Sequence, residues 1–156
     1  PILDVLVMME RENQDKAKRS RNVVISGLRQ VQGFSDVALI WELFENDLRL
    51  PSLPNFNPAR ILRAGKIIPG KVRPIILICD TPDDAQLILR NARNLRNSGD
   101  QYTASSVFIN PDRTPVEAAL AFENRERRRS YMALHPPSHA GPSPPSFFLY
   151  TYSSRW

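Results

Sequence analysis

The chain has 156 residues, 42% of them apolar, with 21 Lys and Arg against 16 Asp and Glu for a formal charge of +5. That apolar share builds one core of ordinary size and excludes a wholly disordered chain. The cationic excess is mostly arginine, and with a pI near 9.8 it points to a polyanionic partner before an acidic small substrate.

The sequence opens on Pro1, which reads as the start of a fragment cut from something longer. Ile2, Val5, Leu6 and Met9 then recur at i, i+3, i+4 and i+7, the spacing of an amphipathic helix, before the stripe dissolves into ERENQDKAKRSR. Such a helix is either a docked terminal helix or the end of a coiled coil. RNVVISGL, residues 21–28, is a short β-branched run closed by glycine, hence a strand. After a turn at Gln32 and Gly33, Val37, Ile40, Trp41, Phe44 and Leu48 fall at helical spacing, with Asp36 in the first turn to complement the helix dipole. This helix ends before Pro51, because PSLPNFNP places three prolines in eight residues and forces a loop. ARILRAGK, residues 59–66, is a second strand, IIPG the turn, and VRPIILICD, residues 72–80, the third strand.

Thr81, Pro82 and Asp84 combine a hydroxyl cap, a proline at the first helical position and an acid at the third, so a helix begins there. Ala85, Ile88, Leu89, Ala92 and Leu95 supply its buried stripe. SVFIN, residues 106–110, is a fourth strand, and Thr114, Pro115 and Glu117 repeat the start signal for a third helix through AALAFENRERRRSYMA. The order β-α-β-β-α-β followed by a helix is the split βαβ, or ferredoxin-like, α+β arrangement: a four-stranded antiparallel sheet with helices on one face. The expected organisation is an N-terminal helix over 1–19, an RRM-like domain over 20–114, a basic helix over 115–134 and a disordered Pro-rich tail over 135–156. Val23, Ile25, Ile76 and Ile78 are expected beneath the helices. That register leaves Val24, Ile75 and Leu77 on the open face, where RNA-recognition modules carry base-stacking rings. Aliphatic side chains cannot stack bases, so the face either stays idle or is covered by another segment or a partner protein.

The residues offer no catalytic centre. Cys79 lies in an apolar run, and the only histidines, His135 and His139, sit in the tail and cannot serve it. One cysteine excludes an internal disulfide framework and suits a reducing interior, cytoplasmic or also nuclear. Asp83, Asp84 and Glu117 are explained by helix starts and Asp112 by a turn, which leaves no acid pair for a metal or for general-acid chemistry. GKIIPGK lacks the Gly-Lys-Ser/Thr ending of a phosphate loop. No stretch is long enough to span a bilayer. No metal, cofactor, small-molecule substrate or membrane partner is therefore expected. The cations, in contrast, gather: Arg60, Arg63 and Lys66 on the second strand, Lys71 and Arg73 around the turn, Arg90, Arg93 and Arg96 on the second helix, and Arg125, Arg127, Arg128 and Arg129 on the third. Together they would line a channel for a phosphate backbone.

RNVVISGL, RILRAGK, RPIILICDTPDDAQLILRNARNLR and VFINPDRTPVEAALAFENRERRR, taken in order from Ser20 to Met132, resemble the RNA-recognition-like domain of the first open-reading-frame protein of LINE-type non-LTR retrotransposons. The resemblance implies a noncanonical RNA-recognition fold behind a trimer-forming coiled coil, in a protein that coats its element's RNA and acts as a nucleic-acid chaperone. It implies RNA contacts by Arg63, Arg73, Arg93 and Arg127 or Arg128, with Lys66 and Lys71 as neighbours in the hairpin loop. The chain departs from the family after Met132, where a C-terminal domain that completes the cleft is replaced by the Pro-rich tail. The expected function is sequence-tolerant binding of single-stranded RNA or DNA, with homo-oligomers through the N-terminal helix. The rival is a protein-interaction or scaffold domain that uses the aliphatic sheet face and that helix.

Overall fold

The computed structural model describes residues 1–136, so the expected tail, His135 and Pro136 apart, lies outside the described residues. The chain divides into two units, residues 1–112 and a second beginning at Arg113. The first holds α1 (Ile2–Arg19), β1 (Asn22–Ser26), α2 (Asp36–Glu42), β2 (Phe56–Arg63), β3 (Ile75–Cys79), α3 (Pro82–Asn91), α4 (Gln101–Ser106) and β4 (Phe108–Pro111). A π-helical stretch, Leu43–Leu48, continues α2, and a 3₁₀ stretch, Ala92–Asn97, continues α3. The strands pair antiparallel in the order β2-β3-β1-β4. This is an α+β unit with an open four-stranded sheet, compatible with a ferredoxin-like fold.

Local chemistry sets the helix starts where the sequence places them. The Thr81 side chain accepts from the Asp84 N–H with Pro82 opening α3, and Ser35 accepts from the Ala38 N–H at the start of α2. Ala85, Ile88, Leu89, Ala92 and Leu95 are all buried, as the spacing requires. They pack with Ile40, Leu43, Phe44 and Leu48 over Val23 and Ile25 in a single core, with Trp41 partly buried at its side.

Three expectations need correction. In β3 the buried residues are Ile75, Leu77 and Cys79, while Ile76 and Ile78 are half-buried on the opposite face. Pairing decides this: Val23 stands opposite Leu77 and Ile25 opposite Ile75. A run that is apolar throughout has no alternation to reveal its register, and a slip of one residue exchanges its faces. Secondly, β2 starts inside the Pro-rich segment at Phe56 and stops at Arg63. Phe56 is buried with its ring centroid 4.8 Å from Trp41 and 6.2 Å from Phe44, and three rings in contact repay the irregular strand that Pro58 imposes. The pairing of β2 is interrupted between Phe56 and Ile61, and Asn57 Oδ1 accepts from the Ala59 N–H at 2.9 Å. Thirdly, the segment before β4 is the short helix α4, not strand, and β4 begins at Phe108. Asp100 caps α4 by accepting from the Thr103 N–H and hydroxyl at 2.8 and 2.7 Å, and these bonds hold its carboxyl below the usual range.

Two junctions join these elements. Gly27, just past β1, has φ +82°, and a Cβ there would lie 2.0 Å from the Ser106 carbonyl oxygen, so only glycine fits. Tyr102 Oη donates to the Gly27 carbonyl at 2.8 Å. At the end of α1, Arg19 pairs with Asp112 at 3.0 Å, which raises its pKa, and Asn22 donates to the same carboxylate at 2.8 Å. No residue of α1 is buried. Its apolar stripe is not docked on the sheet.

The second unit is described by α5 (Pro115–Leu134), which opens on a full capping box between Thr114 and Glu117. Arg127 pairs with Glu123 and Arg129 with Glu126 along it.

Replacing Phe44 with Ala should cost about 3–5 kcal/mol, the usual result of deleting a core aromatic, read as a lower urea midpoint at unchanged slope. Burial pushes the Cys79 thiol up to about 12. Folding therefore favours the protonated thiol, so stability is full below the ordinary thiol value and is lost progressively as pH rises from there toward about 12. At pH 8, iodoacetamide should modify Cys79 only as fast as the unit unfolds, and rapid alkylation of the folded chain would contradict the buried placement.

Candidate nucleic-acid interface

The β2–β3 connection, Ala64 to Pro74, carries Lys66, Lys71 and Arg73 and no acidic residue. Its base is closed by the Ala64 N–H donating to the Pro74 carbonyl at 2.8 Å. Gly65, at φ +86°, turns the chain out of β2, and Gly70, at φ +78°, turns it at the tip. Lys66 and Lys71 are exposed and Arg73 is half-buried at the loop's end. No ion pair holds these three side chains among the described residues.

Arg63 is different, and here the expectation of a phosphate contact is overturned. Its side chain is only 6% exposed. Nε donates to both Asp36 oxygens at 3.2 and 3.1 Å, and Nη2 to Oδ1 at 2.6 Å. Nη1 donates to the carbonyls of Leu28 and Arg73 at 2.8 and 2.9 Å. Four of the guanidinium's five N–H groups are committed inside the protein, where a planar fork meets a carboxylate bidentately. Arg63 positions the loop and is not available to a phosphate.

Arg93 is exposed on the 3₁₀ stretch. Its neighbour Asn94 donates to the Leu48 carbonyl at 2.7 Å, whereas Arg63 is anchored on Asp36. Asp36 and Leu48 mark opposite ends of one helical stretch, roughly 15–20 Å apart at about 1.5 Å per residue. Arg93 is thus not gathered with the hairpin cations. On α5, Arg127 is held by Glu123 at 2.8 Å and Arg128 is exposed. Of the cations expected to line one channel, Lys66, Lys71 and Arg73 share the β2–β3 loop, and Arg60 is exposed on β2, the strand that leads into it.

The open sheet face carries Val24, Ile76 and Ile78, with Leu62 on β2 and Phe108 and Asn110 on β4, as the pairing register places them. Its central strands offer no ring. Phe108, on the edge strand, is the one aromatic the sequence reading did not assign to this face, because strand phase at β4 depended on where α4 stopped. A cleft of about 600 Å³ lies between α2 and α4, lined by Leu28, Arg29, Leu39 and Tyr102 among others. Three of its polar groups are engaged within the protein: Arg29 stacks 3.7 Å over the Tyr102 ring, Asp47 accepts from the Ser98 hydroxyl, and Asp100 caps α4; Glu42 and Asn46 line it as well. Among the described residues no cluster of His, Cys, Asp and Glu could hold a metal ion, and no helix is long and apolar enough to cross a membrane. No family model and no curated protein matches this chain.

Replacing Asp36 with Asn leaves the Arg63 guanidinium buried without its counter-charge. Because Asp36 is a quarter exposed, the loss should be about 2–3 kcal/mol, below the ~3–5 kcal/mol of a fully buried pair deprived of one partner. Urea denaturation measures it, and a change within experimental error would mean that water replaces the carboxylate.

Proposed function

We propose that this chain binds single-stranded RNA or DNA with little sequence preference, as an RRM-like domain of the kind found in LINE retrotransposon ribonucleoproteins. The observation that carries the reading is the set of three unpaired cations, Lys66, Lys71 and Arg73, on a loop whose base is fixed by hydrogen bonds. Arg73 precedes Pro74, which biases it toward extended backbone and lowers the cost of ordering its side chain on a phosphate. The aliphatic central strands argue for backbone contacts over base stacking, so affinity follows counterion release and depends steeply on salt. The residues that support the reading are Lys66, Lys71 and Arg73, with Arg93 and Arg128 as exposed cations elsewhere. A cytoplasmic or nuclear setting goes with it.

A second reading, a protein-interaction domain, rests on α1, where Ile2, Leu3, Val5, Leu6, Met8 and Met9 are each more than half exposed. Self-association through this helix is compatible with nucleic-acid binding and would multiply it by avidity.

Arg73→Ala should weaken binding to unrelated single-stranded RNAs alike and flatten the log–log salt dependence by about 0.7, the value of one phosphate contact on a single strand. The fold should tolerate it, because Arg63 uses only the Arg73 carbonyl. Fluorescence anisotropy over a salt series measures both quantities. Absence of binding by the native chain even at low salt rejects the reading.

A further inference from the structure

The hairpin loop has an apolar tip that phosphate binding does not explain. Ile67 is 81% exposed, Ile68 47% and Val72 37%, although the Ile75 that follows on β3 is fully buried. The tip is preformed: the Lys71 N–H donates to the Ile68 carbonyl at 3.1 Å across Pro69 and Gly70. Gly70 at φ +78° behind a proline is the type II turn pattern. Ile67 and Ile68 are β-branched and stiff at χ1, and the Pro69 ring already fixes its φ. Lys66 directly precedes these apolar residues and Lys71 and Arg73 follow them. The far end of the loop is tied down through the Arg73 carbonyl to Arg63.

We propose that Ile67, Ile68 and Pro69 form a wedge that inserts between neighbouring bases of the strand whose phosphates Lys66, Lys71 and Arg73 hold. This rests on the nucleic-acid reading above and adds a second activity to it, the local unstacking of bases. The chemistry fits on both sides. A polyanion with apolar base faces is the ligand that offers phosphates to cations and, a few ångströms away, a dry surface to an aliphatic tip, and aliphatic and proline wedges between base steps are an established means of unstacking. An anionic lipid surface also pairs negative charge with an apolar layer. It is the poorer match, since a single myristoyl chain anchors a protein only marginally and this tip inserts fewer carbons than that.

The test uses the full chain and a single-stranded adenine-rich DNA oligonucleotide with 2-aminopurine between two adenines, whose fluorescence rises when the base unstacks. The native chain should bind and raise the fluorescence. Ile67→Ser with Ile68→Ser should keep the salt slope and abolish the rise, while Ile67→Leu retains it. Both side chains are exposed, so the urea midpoint should be the same for all three proteins. A full fluorescence rise with the double-serine variant overturns the wedge and leaves the binding reading standing. Failure of the native chain to bind the oligonucleotide at low salt removes both. Sedimentation with phosphatidylserine vesicles that is lost in the double-serine variant, with no fluorescence rise from the native chain on DNA, assigns the tip to a membrane surface and overturns the proposal.

Discussion

The Arg63 guanidinium is the point on which four pieces of chain converge. Its bonds reach the first turn of α2 through Asp36, the connection after β1 through the Leu28 carbonyl, and the closing end of the hairpin loop through the Arg73 carbonyl, all from a side chain rooted in β2. A hydrophobic substitute could fill the space but could not satisfy two carbonyls at once, and leaving those acceptors dry carries its own penalty. The interaction is therefore a specification of geometry as much as a source of stability. It decides where the helix begins relative to the sheet and from what angle the loop leaves it.

That arrangement separates two tasks that a single cationic surface would confuse. One arginine is desolvated and permanently engaged, while the cations beyond it are wet and unengaged. The cost of ordering the loop's ends is met during folding, so a ligand has less backbone to immobilise on arrival. The same logic holds at Gly27, where the absence of a side chain lets the end of β1 pass against the Ser106 carbonyl and lets Tyr102 fasten the two. Loop exits on this sheet are fixed by a few polar contacts set into an otherwise aliphatic core.

Most of the order of elements was legible because its punctuation is local, α4 before β4 being the element missed. Thr81-Pro82 and Thr114-Pro115 act within one helical turn, and the periodic stripe from Ala85 to Leu95 carries its own phase. What stayed hidden depends on partners far along the chain. The register of β3 is set by Val23 and Ile25 across the ladder, and the Ile75–Ile78 run has no polar residue to mark a face. Phe56 sits among prolines that signal loop, and only the Trp41 and Phe44 rings explain why a strand starts there. Arg63 looks like its cationic neighbours until Asp36, 27 positions earlier, is placed beside it. Charge counts find where cations are dense but cannot say which are spent indoors. Lys66 and Lys71 are exposed because a Gly-flanked turn has no core to enter, whereas Arg73, at the loop's end, is half-buried.

The outer edge of β2 limits how copies of this domain can meet. Open sheets tend to recruit foreign strands wherever a row of free N–H groups faces solvent. Here Pro58 has no N–H to offer, the neighbouring Ala59 N–H is already given to Asn57, and the ladder is broken between Phe56 and Ile61. A strand from another molecule would find gaps where it needs donors. Two copies of this domain would thus be spared the ribbon-like fusion through this edge that ends in fibres.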